Sequence, residues 1–524
     1  MFQRSKNFSL TVKEYMKKVH GKKTESFLHP EAEPEIPCLR EAVLFFMDFL
    51  VEKGGPVTII GDYDCDGIMA TAILKLGFER AGIRANTRIP KRFSEGYGLS
   101  EKIIDEIDSG LIITVDNGIA ATGAIKKAKD KGLSVIVTDH HLPKKDANGL
   151  FLLPPADYVV DPWAYPEAAY TGYCGAGIAY RFVKELLPRK NIDDLKVLAA
   201  IATVADVMPI TGANWILVKE GLELLNKGRA VPGLKQIIRY LNVDYFVESD
   251  FGFRLGPILN ASSRLKDDGA ADALKVIAAD YRDFTLPWTA KILVDNNTKR
   301  KEITQKCLSE LPEQKEFPIV VYDPDWMPGI IGLIAGRLCE EYGSPAIALT
   351  KRPDGRLTGS ARSIEGYHIR DLLERCSKYL LSFGGHAEAA GLSLEEEDLP
   401  AFSDAFRKAC GKIPERKSRT YDMEFNSLTD QMIEDLSTFA PYGNGNPSPV
   451  FHMVYRFKKP MAIGDGAGFV DRTDEMDFIA FGLLDKYMAY GQPAQAELIG
   501  NISLKHYNGK TKPQFEILDF KPVK

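Results

Sequence analysis

Val57-Thr58-Ile59-Ile60-Gly61-Asp62-Tyr63-Asp64-Cys65-Asp66-Gly67 is the stretch that decides the fold. Its β-branched start predicts a buried parallel strand, and the apolar pattern that follows Gly67 predicts a helix. The three aspartates therefore lie where a strand ends and a helix begins, which in open α/β sheets is the edge where ligands bind. Carboxylates this close together stay ionised only beside a cation, so the spacing favours a hard divalent metal. The alternative at this point is an Asp-rich turn that caps the helix.

The composition is that of a globular protein with several domains. The chain has 524 residues, 45% hydrophobic and 27% charged, which predicts two to four domains. No apolar run is long enough to cross a bilayer, and the basic N-terminal stretch lacks an apolar signal core. Seven cysteines without a CxxC pair argue against a disulfide framework or a zinc ribbon and favour a reducing, cytoplasmic location. With a net charge of −5, binding of nucleic acid would need a local basic groove.

The first residues are basic and lead through a linker into the first domain. Residues 1–24 carry seven Lys or Arg against one acid, which fits either an arm on a phosphate backbone or a solvated terminal helix. Three prolines within 24–37 predict the linker.

Strands and helices then alternate, which predicts a doubly wound, mostly parallel sheet. The predicted strands are 57–61, 84–89, 111–115, 134–138 and 157–160. The predicted helices are 39–53, 68–81, 100–109, 119–132 and 175–187.

Several of these elements end in residues of one chemical kind. The first strand ends at Asp62, the third at Asp116 and the fourth at Asp139-His140-His141, while Asp206 ends an apolar helical stretch. Capping explains one such carboxylate, but it does not explain several strand ends that converge with imidazoles. Mixed carboxylate and imidazole ligands favour manganese or another transition ion over calcium. Carboxylates from several strand ends can bridge two ions, as phosphoryl transfer uses.

The motifs Asp64-Cys65-Asp66-Gly67, Asp116-Asn117-Gly118, Asp139-His140-His141 and Asp206 resemble, in order, those of the DHH phosphoesterase superfamily. Gly61-Asp62-Tyr63-Asp64 and the segment 203–209 are similar to the RecJ family within it. The resemblance implies two Mn²⁺ (or Mg²⁺) ions. Their implied ligands are Asp62, Asp64, Asp66, Asp116, His140 and Asp206. It also implies that His141 binds the scissile phosphate or moves a proton, while Asp139 orients the histidines.

The resemblance continues into residues that would contact substrate. Arg92 stands on a loop that faces substrate in this family, and Arg264 ends a segment whose arginine points at the nucleic acid. Ile258 and Ser263 depart from that segment's usual Arg and Gly, which leaves the shape of its loop open. A long helix over 289–311 is expected to bridge to the next domain.

A second α/β unit begins at Pro318, with strands 318–322 and 345–349 around a helix at 329–342. Met327 replaces the histidine of the family's Trp-His-x-Gly-Val-Ile-Gly motif. The segments 359–363 and 384–391 complete the DHH-associated pattern and predict an anion site, with a plain glycine turn as the alternative. We expect a helix after His386 to offer its amides. The substrate-binding residues expected here are Ser360, Arg362, Ser363, Gly384, Gly385 and His386.

The last hundred residues predict a third, small β domain. Short strands near 449–457, 461–463, 476–482, 496–504 and 514–520 fit an OB-like β-barrel, a fold that holds single strands. A basic DNA-binding surface is one interpretation of Lys505, His506, Tyr507, Lys510 and Lys512. An exposed hairpin without a ligand is the other.

The domain boundaries expected are 1–38 for the extension and linker, 39–300 for the DHH domain with its connecting helices, 301–415 for the DHH-associated domain and 416–524 for the OB-like domain. The resemblance implies a metal-dependent exonuclease that hydrolyses single-stranded DNA from the 5′ end to 5′-mononucleotides in recombination and repair. It is expected to be a monomer without membrane attachment, with single-strand-binding protein or a helicase as further partners.

Three alternatives differ in their requirements. A phosphodiesterase of short oligonucleotides or cyclic dinucleotides would typically lack the third domain, and an inactive DNA-binding scaffold would have lost metal ligands. A haloacid-dehalogenase-type phosphatase rests on the Asp-x-Asp spacing alone and leaves the histidine pair unexplained.

Overall fold

A five-stranded parallel sheet forms the centre of the first domain in the computed structural model, which describes residues 2–29, 33–146, 148–314, 316–412, 419–463, 467–507 and 510–523. From one edge to the other, its strands are Ala85–Arg88, Val57–Ile60, Leu111–Val115, Ser134–Thr138 and Tyr158–Val160. All four strand pairs are parallel. In chain order the sheet runs 2-1-3-4-5, so the direction of winding reverses between Val57–Ile60 and Leu111–Val115.

Both faces of this sheet are buried. Ile59 and Ile113 belong to one buried cluster with the helices Cys65–Arg80, Gly175–Leu186 and Asp193–Ala205. The alternate residues Ile60 and Ile112 belong to a second cluster, which covers the opposite face. The helices of that face are Glu101–Asp105 and Thr122–Asp130. The predicted doubly wound, mostly parallel sheet is therefore confirmed, because the strands other than the half-exposed edge strand Ala85–Arg88 alternate their side chains between two helical layers.

Further helices surround the sheet and lead to the second domain. Leu39–Asp48 continues as a wider turn over Phe49–Lys53 before the first strand. After the sheet, Gly256–Leu265 packs on the long Leu286–Glu310, where the Asn296 amide donates to Ser262 Oγ at 3.0 Å. The other helices of this region are Gly212–Asn226, Pro232–Arg239, Glu248–Asp250, Phe251–Leu255 and Gly269–Ile277.

The second domain is a smaller α/β unit with a mixed sheet. Its strands, in spatial order, are Ser382–Gly385, Ala389–Leu394, Leu357–Arg362, Ala346–Lys351 and Ile319–Tyr322. Only the last two pair in parallel. Its helices are Ile331–Tyr342, Ile369–Arg375 and Leu399–Cys410.

The third domain is a β structure with seven strands among the described residues, two more than the OB-like prediction included. The strands run in the spatial order Met423–Glu424, Phe451–Arg456, Gln495–Tyr507, Lys510–Pro522, Asp477–Ala480, Gly468–Arg472 and Met461–Ile463. Phe451 and Phe469, from the second and sixth strands of that order, lie in one buried cluster, so the sheet curls around a single core. The sequence prediction missed Gly468–Arg472 and the short Met423–Glu424. The helices Asp430–Phe439 and Leu484–Ala489 complete the domain.

The N-terminal segment is part of this third domain. Gln3–Arg4 pairs in parallel with Thr420–Tyr421, and Ser5 donates a hydrogen bond to Asp422. The helix Val12–His20 places Val12, Tyr15 and Met16 in the same buried cluster as Phe451. Sequence patterns did not indicate this packing, since neither an arm on a phosphate backbone nor a solvated terminal helix places the segment in a domain core. A membrane-spanning helix is not found among the described residues, where no helix is both long and apolar enough.

Candidate active site

The carboxylates and histidines singled out in the sequence meet at the carboxyl edge of the first sheet. All of them except Asp206 follow Val57–Ile60, Leu111–Val115 or Ser134–Thr138, next to the point where the winding reverses, and Asp206 follows the helix Asp193–Ala205. That edge is where open α/β sheets bind ligands. The structure therefore brings together Asp62, Asp64, Asp66, Asp116, Asp139, His140, His141 and Asp206.

Backbone amides hold the aspartates of the first motif. Asp64 caps the helix Cys65–Arg80 by accepting from Asp66 N at 3.0 Å and Gly67 N at 3.1 Å. Asp66 accepts from the amides of Gly175 at 2.6 Å and Ala176 at 2.7 Å, at the N-terminus of the next helix. Asp64 can therefore cap the helix and bind a cation at the same time, because a carboxylate that accepts capping hydrogen bonds keeps further lone pairs for a metal ion.

His140 lies among the carboxylates. Its Nε2 is 3.0 Å from Asp116 Oδ1, 3.6 Å from Asp66 Oδ2 and 3.7 Å from Asp206 Oδ2. Burial and the neighbouring His141 lower the pKa of His140, which favours the neutral ring that a metal requires.

Asp139 and His141 form a separate pair at the margin of this group. Asp139 is buried and accepts from Ile119 N, His140 N and His141 N, and its Oδ1 is 2.7 Å from His141 Nδ1. Burial opposes the charged form of His141, but the hydrogen bond and ion pair with Asp139 outweigh it and raise the His141 pKa to about 9. The imidazole thus keeps a proton at neutral pH, with more than a third of its side chain exposed.

The remaining carboxylates repel one another. Burial and the surrounding aspartates raise the pKa of Asp62, Asp116 and Asp206 well above the usual value. Asp62 Oδ2 is fully buried with no hydrogen-bond partner among the described residues. Such a cluster is stable in its charged form only with positive charge in its midst.

The geometry of the donor atoms fits a divalent ion. Three groups each bring three ligand atoms within 4.8 Å of one another: Asp62 with Asp64 and Asp116; Asp66 with His140 and Asp206; and Asp116 with His140 and His141. The groups share Asp116 and His140, so neighbouring cation positions would have common ligands. Oxygen donors with imidazole suit Mn²⁺, and oxygen donors alone suit Mg²⁺.

Two residues of this site were missed by sequence reasoning. The Tyr97 hydroxyl donates to Asp116 O at 2.6 Å and lies 3.2 Å from His141 Nδ1. The Asn117 amide donates to the carbonyls of Ile60 and Val115, at 3.2 and 2.8 Å, and so ties two strand ends together. Tyr97 lies in the Arg92 loop and Asn117 follows Asp116, so position beside a motif was the only signal in the sequence.

Next to the carboxylates, the first and second domains bring arginines together. The Arg92 guanidinium lies 4.5 Å from the centre of the Tyr63 ring and 3.4 Å from Ser263 Oγ, and Arg264 donates to Gly329 O at 3.1 Å. Burial, together with Arg92, Arg300 and Arg362, lowers the Arg264 pKa to about 9. We call these four residues the arginine cluster. Their mutual repulsion favours an anion between them.

The second-domain part of this cluster lies at the end of Leu357–Arg362, the central strand of its sheet. Arg362 donates to Ser360 Oγ at 3.0 Å, and burial lowers the Arg362 pKa. In register, Ser360 pairs with Gly391 and Gly391 with Gly384, so Gly384 lies about 10 Å away, two strands across. The Ser363 hydroxyl instead donates to Tyr367 O at 2.6 Å, inside its own turn.

The prediction of a helix after His386 is wrong. Gly384 and Gly385 end a strand, His386 N donates to Ala389 O at 2.8 Å, and the chain returns as the strand Ala389–Leu394. The alanines are compatible with a helix locally, but alternate residues from Ala390 onward are buried in the second-domain core, and pairing with Leu357–Arg362 decides the conformation. These residues therefore present a β-hairpin, without helix-terminal amides.

Three family models match the chain, in the order in which the domains occur. They are the DHH family N-terminal domain over residues 56–208, the DHHA1 domain over 316–412 and the RecJ OB domain over 421–519. Fold and site thus define a DHH-type protein with an associated DHHA1 domain.

Individual relatives show which family of DHH-type proteins the chain belongs to. The single-stranded-DNA-specific exonuclease RecJ of Haemophilus influenzae is 30% identical over 91% of this chain and 90% of its own length. The crystal structure of RecJ from Thermus thermophilus in complex with Mn²⁺ has a TM-score of 0.81 at 27% identity, covering 98% of this chain and 76% of that one. The Mg²⁺ complex of the same protein has a TM-score of 0.75 at 25% identity, covering 98% and 75%. The chain belongs to the RecJ family.

Proposed function

We propose that this chain is a metal-dependent exonuclease that hydrolyses single-stranded DNA from the 5′ end and releases 5′-mononucleotides. The observation that carries the proposal is the pairing of two sites of opposite charge. A carboxylate cluster that needs cations lies beside an arginine cluster that needs an anion. Tyr63 lies between the two clusters: in the chain it stands between Asp62 and Asp64, and its ring contacts Arg92. The mixed donor set and the metal-bound structures of relatives support Mn²⁺ or Mg²⁺.

Six residues would hold the metal: Asp62, Asp64, Asp66, Asp116, His140 and Asp206. A pair of divalent ions supplies Lewis-acid charge for phosphoryl transfer when bound there. His141 would bind a phosphate oxygen or move a proton, while Asp139 holds its ring through Nδ1 at 2.7 Å. Asp139 itself is fully engaged by amides and His141, so it acts by orienting the ring.

The arginine cluster would hold the 5′ phosphate of the strand. Arg92 and Arg264 come from the first domain and Arg362 with Ser360 from the second, so a phosphate between them contacts both domains. A terminal phosphate anchored at a fixed distance from the carboxylates sets which bond is cut, and this accounts for release of single nucleotides. The hairpin at Gly384, Gly385 and His386, with Ser363 in the turn beside it, would border the same pocket.

The third domain would guide the rest of the strand, as OB folds do on basic and aromatic surfaces. The side chains of Lys505, His506, Tyr507 and Lys510 lie outside the described residues, and Lys512 is held by Asp477 at 2.6 Å. Action as a monomer in the cytoplasm, in recombination and repair, and contact with single-strand-binding protein or a helicase belong to the same proposal.

The test is a nuclease assay on two substrates. Purified protein is incubated with a 5′-labelled single strand and with the same strand in a blunt duplex, with Mn²⁺ and with EDTA. The expected product is labelled mononucleotide, from the single strand only and only with metal. Asp116→Asn, which keeps the size of the side chain but removes the negative charge of a shared ligand, should release none. Internal fragments as first products, or equal cleavage of the duplex, would contradict the proposal.

A further inference from the structure

The helix that carries Asp206 ends in an unfavourable backbone conformation. After Asp193–Ala205, the chain makes a closing turn in which Val207 N donates to Val204 O at 3.1 Å and Met208 N to Thr203 O at 3.0 Å. This turn places its central residue in the left-handed region, where glycine is usual. Here that residue is Val207, with φ of 55°. A β-branched side chain is disfavoured there, and Val207 is 67% exposed, so its own packing offsets little of the cost.

Asp206 is also the least supported carboxylate of the candidate metal site. It follows the C-terminus of a helix, where the helix dipole disfavours negative charge. Among the residues that the structure describes, no donor lies within hydrogen-bond distance of its carboxylate, whereas Asp66 accepts two amides. The position of Asp206 therefore depends on the turn at Val207.

A segment of the third domain holds that turn from outside. Asn444 Nδ2 donates to Val207 O at 2.8 Å, and Asn444 O accepts from Ile210 N at 2.7 Å. Asn444 thus bonds to the chain on both sides of Met208 and Pro209. The approach requires glycine at 443, since a Cβ there would lie 2.8 Å from Ile210 Cγ1. The segment is itself fixed by the buried Asn446, whose amide donates to Phe439 O and Pro441 O at 3.0 and 2.8 Å.

We infer that Asn444 is a positioning residue of the metal centre, which keeps the Val207 turn in its left-handed form and thereby keeps Asp206 facing His140. The inference rests on the proposed function, because it takes Asp206 as a ligand. A segment of the third domain thus completes a site built by the first domain.

The test measures Mn²⁺ affinity directly, by titration with detection of free Mn²⁺ by electron paramagnetic resonance. In Asn444→Ala the side-chain bond is lost while the backbone bond to Ile210 remains. Loss of one such hydrogen bond predicts an apparent Kd about two- to tenfold weaker. Asn501→Ala is the matched control, because the Asn501 amide donates to Pro449 O at 2.9 Å, within the third domain. Its Mn²⁺ affinity should equal that of the wild type.

A rescue variant separates positioning from general damage. Val207→Gly removes the cost of the left-handed turn, so the double variant Asn444→Ala with Val207→Gly should recover most of the lost affinity. If Asn444→Ala does not fold, Asn444→Asp of equal size carries the same test, since its carboxylate repels Val207 O.

The outcomes are distinguishable. Unchanged affinity in a folded Asn444→Ala, equal weakening in Asn501→Ala, or no recovery in the double variant would overturn this inference alone. A wild-type protein that binds no Mn²⁺ would overturn the proposed function and this inference with it.

Discussion

Replacement of Arg362 by alanine should remove most of the preference for a 5′-phosphorylated end. In the folded protein Arg362 is largely buried and donates to Ser360 Oγ and Ala361 O, which leaves the outer edge of its guanidinium for an anion. The neighbouring Arg264 indicates how much unfavourable free energy between the arginines such an anion relieves. Burial and three like charges lower the Arg264 pKa from 12.5 to about 9, so the guanidinium is still protonated at neutral pH but at a cost.

Two free energies determine the size of the rate preference for a 5′-phosphorylated end. The lowered pKa of Arg264 corresponds to unfavourable free energy on the order of 5 kcal/mol, at about 1.4 kcal/mol per unit. A phosphate dianion recovers part of it, and one charge-assisted hydrogen bond of this kind contributes about 1.5–3 kcal/mol. A 5′-phosphorylated end should therefore be cut roughly ten- to a hundredfold faster than a 5′-hydroxyl end.

The assay is the ratio of kcat/KM on two oligonucleotides that differ only in the 5′ phosphate. Arg362→Ala should reduce that ratio close to one, while the metal dependence stays as in the wild type. Arg356→Ala is the control: Arg356 lies just before the strand Leu357–Arg362, paired with Glu395 at 3.4 Å, and its loss should leave the ratio unchanged. An undiminished ratio in Arg362→Ala would place the end sensor elsewhere. Equal rates in the wild type would refute the arginine-cluster argument altogether.

Three further substitutions test the site and its support. Asp116→Asn should abolish hydrolysis, a larger loss than the roughly 10–100-fold that residues behind the metal ligands contribute. It should also raise the unfolding temperature in EDTA, measured by scanning fluorimetry, because it relieves the repulsion between the aspartates. Phe46→Ala removes a fully buried ring and should lower the free energy of unfolding, measured in urea, by about 3–5 kcal/mol. A loss below about 1 kcal/mol would mean that the neighbouring side chains fill the cavity left by the ring. Gly329→Ala should lower both stability, by about 1–3 kcal/mol, and the exonuclease rate, because its Cβ would lie 2.0 Å from the carbonyl oxygen of Arg264. Gly336→Ala, with open space around it, is the matched control and should be neutral or stabilising.

The first sheet and its carboxyl edge followed from the sequence because both depend on short-range patterns. The predicted strand 111–115 is Leu111–Val115 in the structure, and its end brings Asp116 within 3.0 Å of His140. A parallel sheet places successive strand ends at one edge, so local motifs sufficed to predict which residues meet.

What depends on contacts between distant segments could not be predicted. Ala389 and Ala390 have a strong helix propensity, which only pairing with a neighbouring strand overrides. Asn444 lies more than two hundred positions from Val207 and carries no pattern that indicates the contact. The predicted boundary near residue 416 leaves Asn444 with the OB-like domain, so the first two domains alone would lack this contact to the Val207 turn.

The packing of the helix Val12–His20 into the third-domain core has a consequence for synthesis on the ribosome. Ser5 and Asp422 are 417 positions apart, so at about 5–20 residues per second the partner strand emerges roughly 20–80 s later. During that interval Val12, Tyr15 and Met16 have no native surface to cover them. Because the contact joins residues 417 positions apart, we expect docking of this segment to be a late, high-contact-order step. The helix Val12–His20 is thus made long before the core that it completes.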